Sequence, residues 1–189
     1  MSIPSQSSRS ARLRAATVAL AWLSAWALGA CDRLEAEQEP APPPPLAQAF
    51  VSSQVSAALG QLARAATTRG FTPEGDDSRG FLVERGPQAV ELPLRSGSCY
   101  LLVAAGSEAV RELDVTLYAG DGTEVARDES AGRLVALHHC PPQSGTFYAS
   151  VQATAGNGLF ALRVLRGPNG LEVRTEDIVR AAEPERASR

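Results

Sequence analysis

Three cysteines and two adjacent histidines are the residues of this sequence with the most versatile chemistry. Cys31 stands near the amino terminus, Cys99 and Cys140 lie in the second half, and His138 and His139 directly precede Cys140. A thiolate beside an imidazole suits nucleophilic catalysis, and several such ligands suit zinc. The pattern argues against both uses, because neighbouring side chains of a strand point to opposite faces and no further ligand stands at a useful spacing.

The segment ahead of Cys31 resembles a bacterial lipoprotein export signal. Three arginines and no acid precede an apolar run over 15–30, and the run ends in the tetrapeptide Leu-Gly-Ala-Cys at 28–31. The run is shorter than the about 20 apolar residues that a membrane span needs, which favours a cleaved signal over a retained anchor. The resemblance implies cleavage before Cys31 and attachment of acyl chains, including palmitate, at this residue.

The rest of the chain divides by composition. Pro40-Ala-Pro-Pro-Pro-Pro45 favours an extended spacer of about 3.1 Å per residue. Leu46, Phe50, Val55, Leu59 and Leu62 then predict an amphipathic helix that packs on the domain behind it, with Gly70 as its stop. We expect a signal peptide at 1–30, an acylated Cys and Pro-rich tether at 31–45, this helix at 46–70, a β-sandwich at 71–170 and a polar tail at 171–189.

Cys99 and Cys140 remain as a pair once Cys31 is acylated. An export signal leads to an oxidising compartment, where a disulfide between two remaining cysteines is the expected state. Two free buried thiols are the alternative. A bridge here would tie together two predicted strands that are distant in the sequence.

From residue 81 onward the sequence changes to short apolar or alternating runs separated by turn residues, as in Ala119-Gly-Asp-Gly-Thr123. This pattern predicts a mainly β, antiparallel sandwich, jelly-roll-like, of about eight strands. Alternation places Leu113, Val115 and Leu117 on one face and Asp114, Thr116 and Tyr118 on the other. The predicted strands are 81–85, 89–94, 99–104, 113–118, 125–126, 134–140, 146–151 and 159–164.

Charge narrows the range of partners. The full sequence has a formal net charge of −3, and loss of three arginines with the signal would change it to −6. Binding to nucleic acid is not expected, because neutralising phosphates requires a basic surface. Both tryptophans precede Cys31, so a sugar-binding module that stacks on Trp is also disfavoured.

Three of the predicted strands resemble a known family. The segments 112–123, 144–152 and 158–164 are similar to the Asp-Leu-Tyr, Gly-Thr-Tyr and closing strands of the bacterial pre-peptidase C-terminal domain, a β-sandwich of secreted proteases and other exported proteins. Asp114 matches the acidic strand position of the family, whereas Glu112 and Val115 depart from its usual Asp and Leu. The resemblance covers about residues 81–165 and implies the fold and export. It does not transfer a role beside a peptidase, since we find no peptidase motif in the sequence.

The resemblance also implies a candidate metal site. Some collagenase-type relatives bind calcium through acids just before the first strand, where this chain has Glu74, Asp76 and Asp77. With Asp114, these acids form the candidate calcium ligands, because hard cations prefer several carboxylate oxygens. An ordinary solvated loop is the alternative, and we expect no other cofactor.

Two functional hypotheses follow. The first is a lipid-anchored, non-catalytic module of the cell envelope, periplasmic or on the outer surface, that binds an envelope protein or polysaccharide through Tyr118 and Tyr148. The second is an accessory domain, with or without calcium, for a separately encoded secreted hydrolase or its secretion. We expect no enzymatic activity, because no Gly-x-Ser-x-Gly elbow, P-loop or dinucleotide motif is present.

Overall fold

A computed structural model describes residues 45–128 and 130–183 of the chain. The predicted signal peptide, the acylation site at Cys31 and nearly all of the tether lie outside these residues. In chain order the elements are α1 (Pro45–Thr67), β1 (Thr72–Pro73), β2 (Ser78–Leu82), β3 (Gln88–Leu94), β4 (Ser98–Gly106), β5 (Val110–Ala119), β6 (Glu124–Arg127), β7 (Leu134–His139), β8 (Gly145–Gly156), β9 (Gly158–Pro168) and α2 (Thr175–Ala182).

The strands form two antiparallel sheets with jelly-roll order. In sheet A, β1 and β2 both pair with one side of β9, and the order continues through β4 to β7. In sheet B the order is β3-β8-β5-β6. Successive strands of the chain between β2 and β9 therefore mostly alternate between the sheets, as in a double-sheet jelly roll. The predicted fold class is confirmed.

The interior of the sandwich is built from the alternate residues of both sheets. Leu113, Val115 and Leu117 of β5 point inward, as predicted, and are fully buried. They meet residues of sheet A that include Tyr100 and Leu102 of β4. Burial of large apolar side chains on two facing sheets is the main source of stability for such a fold.

The outer face of sheet A is also buried, because both helices lie on it. Val55, Leu59, Leu62 and Ala66 of α1 form a second apolar cluster with outward-facing residues of sheet A. The sheet's residues in this cluster include Leu101, Val103, Ala105, Ala136, Ala161 and Leu165. Sheet A is therefore covered on both faces.

Helix α1 ends as the sequence predicts. Gly70 has a φ of +94°, in the left-handed region that glycine adopts without strain. Its N–H donates to the Thr67 carbonyl at 3.1 Å, and the Phe71 N–H donates to the Ala66 carbonyl at 3.3 Å. This pair of bonds is the Schellman motif, which satisfies the last carbonyls of the helix and turns Phe71 onto sheet A.

Two details of the helices differ from the sequence analysis. Phe50 was assigned to the apolar face of α1 but is 63% exposed. It lies five residues before Val55, so at 3.6 residues per turn it points well away from the buried stripe. The segment 171–189, assigned to a polar tail, contains α2, whose Ile178 and Ala182 are buried against the α1 cluster. Among the described residues, neither helix is long and apolar enough to cross a membrane.

The edges of sheet B are irregular. At one edge, β3 carries the exposed Pro93, which has no N–H to offer a further strand. At the other edge, β6 has only 4 residues, and its pairing with β5 shifts register between Leu117 and Tyr118. The turn between β5 and β6 is closed by the Thr123 N–H, which donates to the Asp121 carboxylate at 2.9 Å.

Candidate binding surface

The outer face of sheet B carries polar and aromatic side chains with no helix over it. Residues of β5 and β8 alternate between the buried interior and this face, so that one apolar set packs inside and one polar set faces outward. The outward set comprises Glu112, Asp114, Thr116 and Tyr118 of β5 and Thr146, Tyr148, Ser150 and Gln152 of β8, of which Thr116 is buried between its neighbours at 7% exposure.

The two tyrosines singled out by the sequence lie directly opposite each other. Tyr118 of β5 pairs in register with Tyr148 of β8, and Tyr148 is 37% exposed. Side chains at opposite positions of an antiparallel pair have Cβ atoms about 5 Å apart, so the two tyrosine side chains leave the sheet from adjacent positions. Glu91 of β3 stands opposite Tyr148, and Glu124 of β6 stands opposite Tyr118. A row of carboxylate, phenol, phenol and carboxylate thus crosses all four strands.

The neighbouring row of residues across the sheet carries a basic side chain on this face, that of Arg127. Arg127 stands opposite Thr116, and its guanidinium binds the Glu124 carboxylate with an Nη2–Oε2 distance of 2.7 Å. It also interacts electrostatically with Tyr118 and Asp114. The guanidinium is therefore held beside the tyrosine pair by a carboxylate of its own strand.

Asp114 of β5 adds a partly buried carboxylate to this face. It stands opposite Gln152, and its pKa is raised above the ordinary value by partial burial and by the neighbouring carboxylate of Glu112. The attraction of Arg127 opposes this rise without cancelling it.

The candidate calcium ligands do not converge. Both carboxylate oxygens of Asp77 accept hydrogen bonds from Arg163, at 2.6 and 2.9 Å, and Arg79 donates a third at 2.9 Å. The bond from Arg163 is the largest cause of a lowered Asp77 pKa, followed in the same direction by that from Arg79, while burial opposes them. Glu74 lies 3.4 Å from the Arg166 guanidinium. These acids of the β1–β2 region are engaged mainly with arginines of β9, and Asp114 belongs to the other sheet.

Glu74 and Asp76 do share a small cavity with Glu91. The cavity has a volume of about 210 Å³ and lies between the β1–β2 loop and β3, with Leu92, Val90 and Val164 among its apolar walls. Within residues 45–128 and 130–183, the close group of potential metal ligands is Cys99, His138 and Cys140. Glu74, Asp76 and Glu91 do not form such a group. Calcium binding at Glu74, Asp76, Asp77 and Asp114 stays a prediction that this geometry does not favour.

The two later cysteines form a disulfide, which confirms that part of the sequence analysis. The S–S distance between Cys99 and Cys140 is 2.02 Å and their Cα atoms are 4.1 Å apart. The bridge joins β4 to the end of the edge strand β7. Because the sulfurs are bonded to each other, neither is a thiolate available to a metal or to an electrophile, although the Nε2 of His138 is 3.6 Å from the Cys140 sulfur.

The adjacent histidines face opposite ways, as predicted. His138 meets the ring of Phe71 on the helix side of sheet A, with ring centroids 6.0 Å apart. His139 meets Phe147 on the interior side, at 5.7 Å, and its Nε2 is buried without a hydrogen-bond partner. Burial is the main cause of a lowered pKa at both residues, and His138 lowers that of His139 further. Both are neutral packing residues near pH 7.

A larger groove, of about 430 Å³, lies where β6 and β7 meet α2. Its polar lining includes Asp128, Ser130, His138 and Glu176. The Ser130 hydroxyl donates to the Asp128 carboxylate, at 2.8 and 2.9 Å from its two oxygens, which fixes this side chain in the loop after β6.

Comparison with known proteins assigns no family. No family model matches the sequence, and no curated protein matches it significantly. Among solved structures, a periplasmic inhibitor of g-type lysozyme from Aeromonas hydrophila, PliG, is similar at 15% identity, with 48% of this chain and 84% of that chain covered and a TM-score of 0.39. The C-terminal family 22 carbohydrate-binding module of Clostridium thermocellum Xyn10B is similar at 14% identity, with 55% and 88% covered and a TM-score of 0.30. At these values neither likeness decides what this chain binds.

Proposed function

We propose that this chain is a non-catalytic binding module of the bacterial cell envelope, held at a membrane by acyl chains on Cys31. Its working surface is the outer face of sheet B, centred on Tyr118 and Tyr148. The observation that carries the proposal is the contrast between the sheets: both helices are spent on covering sheet A, while sheet B keeps an open face with two opposed tyrosines. Tyrosine supplies broad contact area with a polar tip and is enriched at binding interfaces.

Placement in the envelope is supported by covalent chemistry. The Cys99–Cys140 disulfide persists in oxidising compartments such as the periplasm and is rare in the cytosol. The basic start, short apolar run and Leu-Gly-Ala-Cys tetrapeptide of the sequence supply the matching export and acylation signals. We also assign the sandwich to the pre-peptidase C-terminal type, since the three similar segments fall on β5, β8 and β9.

Anchoring is tested with Cys31→Ser in the full chain. The wild type should enter the detergent phase on partitioning, whereas the variant should stay uncleaved or move to the aqueous phase. Unchanged partitioning, together with a mature mass that contains no lipid, would contradict acylation at this residue.

The working surface is tested by capture from envelope extract. The full chain should retain an envelope component that the Tyr118→Ala/Tyr148→Ala double variant loses. Phe81→Ala is the matched control, because Phe81 is an aromatic residue of sheet A that is 54% exposed. Equal capture by the wild type and the double variant would remove the face of sheet B from the proposal.

The calcium-dependent accessory role has less support. The carboxylate of Asp77 is already neutralised by two arginines, which a cation would have to displace. The test is the unfolding temperature with and without calcium. A rise in the wild type that is smaller in an Asp77→Asn variant would support this alternative.

A further inference from the structure

We propose that the open face of sheet B binds a basic polypeptide segment, with the tyrosine pair receiving arginine or lysine side chains. This inference rests on the proposed function and names the class of partner for the same surface.

Charge is the first step of the argument. Strands β3, β5 and β6 carry the four carboxylates of Glu91, Glu112, Asp114 and Glu124, whereas the basic side chains of the four strands are those of Arg127 and of the exposed Arg111 beside Glu112. Arg127 is already paired with Glu124. Among the described residues, Glu91, Glu112 and Asp114 form no ion pair, and the pKa of Asp114 is raised by its partial burial and by the neighbouring carboxylate of Glu112. A surface with this balance attracts cations and repels anions.

The tyrosines supply the second step. Cations stack on the faces of aromatic rings within about 6 Å, and arginine does so most often. Tyr148 stands beside Glu91, so that a guanidinium lying over the Tyr148 ring has an unpaired carboxylate one strand away. On the other side of the pair, Glu124 next to Tyr118 already binds Arg127. Such an arrangement combines stacking with a charge-assisted hydrogen bond, for which the planar guanidinium is suited.

The side chains next to the tyrosines suit a peptide backbone. Ser150 and Gln152 follow Tyr148 on the same face of β8 and offer a hydroxyl and an amide oxygen, while the Nε2 of Gln152 already donates to the Arg85 carbonyl at 2.8 Å. The face is an open sheet surface, broad enough for an extended segment to lie across it. Charged envelope polysaccharides carry carboxylates or phosphates, which the free carboxylates would repel.

Titration of the full-length, detergent-solubilised protein with a synthetic peptide in which Arg alternates with Ser tests the proposal. We expect saturable binding that weakens about tenfold as sodium chloride rises from about 0.05 to 0.5 M, because exposed charges are screened. A peptide with Glu in place of Arg should not bind. Cellohexaose serves as the neutral glycan probe and should not bind.

Variants locate the interaction. Tyr118→Leu/Tyr148→Leu should weaken the Arg–Ser peptide about fivefold or more, from the loss of two cation–π contacts. Glu91→Gln/Asp114→Asn should also weaken it, with a smaller dependence on salt. Glu176→Gln is the matched control, because it removes a carboxylate from α2 on the opposite sheet, and it should bind as the wild type does. Unfolding temperatures measured on every variant separate lost binding from lost structure.

The outcomes separate the inference from the proposed function. Peptide binding that is absent, or that these face variants leave unchanged, overturns the inference. Binding of cellohexaose that is lost in the tyrosine variant also overturns it, while the face of sheet B stands as a binding surface. If the envelope capture described above is also insensitive to the tyrosines, the proposed function fails with it.

Discussion

The two sheets share one interior but differ in what their outer faces require. On sheet A, strand β4 is buried on both sides, with Leu101, Val103 and Ala105 facing the helices. On sheet B, β8 buries Phe147, Ala149 and Val151 inward while polar residues and Tyr148 face outward. A continuous apolar run thus indicates a strand that must be buried on both faces, whereas an alternating strand can leave its polar face exposed to water. The difference separates a structural face from a face available to a partner.

Breaking the disulfide should cause the largest loss of stability on the covered side of the molecule. The bond ties β7, an edge strand of sheet A, to β4. With a separation of 41 residues, Cys99→Ser/Cys140→Ser should lower the free energy of unfolding by about 4 kcal/mol. Urea unfolding with and without reductant measures the loss. The reductant should destabilise the wild type and leave the double variant unchanged, and an equal response of both would contradict a stabilising bridge.

Leu62→Ala should have the next largest effect. Leu62 is fully buried where α1 covers sheet A, so its truncation should cost about 3 kcal/mol through lost burial and a cavity. Tyr148→Ala on the open sheet is the comparison, and its change should stay within about 1 kcal/mol. Similar losses in urea unfolding at the two positions would show that the open face is as structural as the covered one.

Acidification from neutral pH should lower the stability that depends on His138 and His139 of sheet A. His138 and His139 have lowered pKa values in the folded state, so their contribution to stability is full above the unfolded value of about 6.5 and declines as the pH falls below it. Thermal unfolding between about pH 7 and 5 should show this decline. A His138→Gln/His139→Gln variant should show a flatter profile, and an unchanged slope would exclude the histidines as its source.

Asp114→Asn should have the smallest effect and should raise stability. The pKa of Asp114 is higher folded than unfolded, so its ionised form is unfavourable at neutral pH and is relieved as the pH falls through the folded value toward 3.8. Removing the charge should raise the unfolding free energy at pH 7 by at most about 0.5 kcal/mol. The Gln152→Glu variant, opposite in register, should lower it. If the Asp114→Asn variant is more stable than the wild type and also binds the basic peptide less well, Asp114 contributes to binding at the expense of stability.

The sequence predicted the strands and α1 more completely than it predicted which helices cover the outer face of sheet A. Seven of the eight strand runs, the Gly70 stop and the inward set of β5 were readable, because each depends on local periodicity or on one backbone conformation. The run 81–85 shares only Phe81 and Leu82 with β2, which begins three residues earlier. Helix α2 was missed, since 8 residues are too few for a helical period to stand out in a charged segment. The unbroken apolar run of β4 was the available signal that something had to cover sheet A.

The candidate site divides in the same way. Tyr118 and Tyr148 were chosen from type and alternation, yet their pairing depends on the register of β5 against β8, which no local pattern encodes. The acids at 74–77 were grouped because they are close in sequence. In the fold, Asp77 instead meets Arg163, which lies 86 residues away. Long-range partners of this kind decide whether a cluster of acids is free to bind a metal.

Pro93 has a consequence for the proposed anchoring through Cys31. Chains held side by side on a membrane would meet more often than chains in solution, and an open strand edge would let them pair strand to strand. Pro93 interrupts the donor row of β3, and the short, bulged β6 leaves little ladder to extend at the other edge. Sheet B therefore offers little edge for a further strand, although its outer face is left uncovered by both helices.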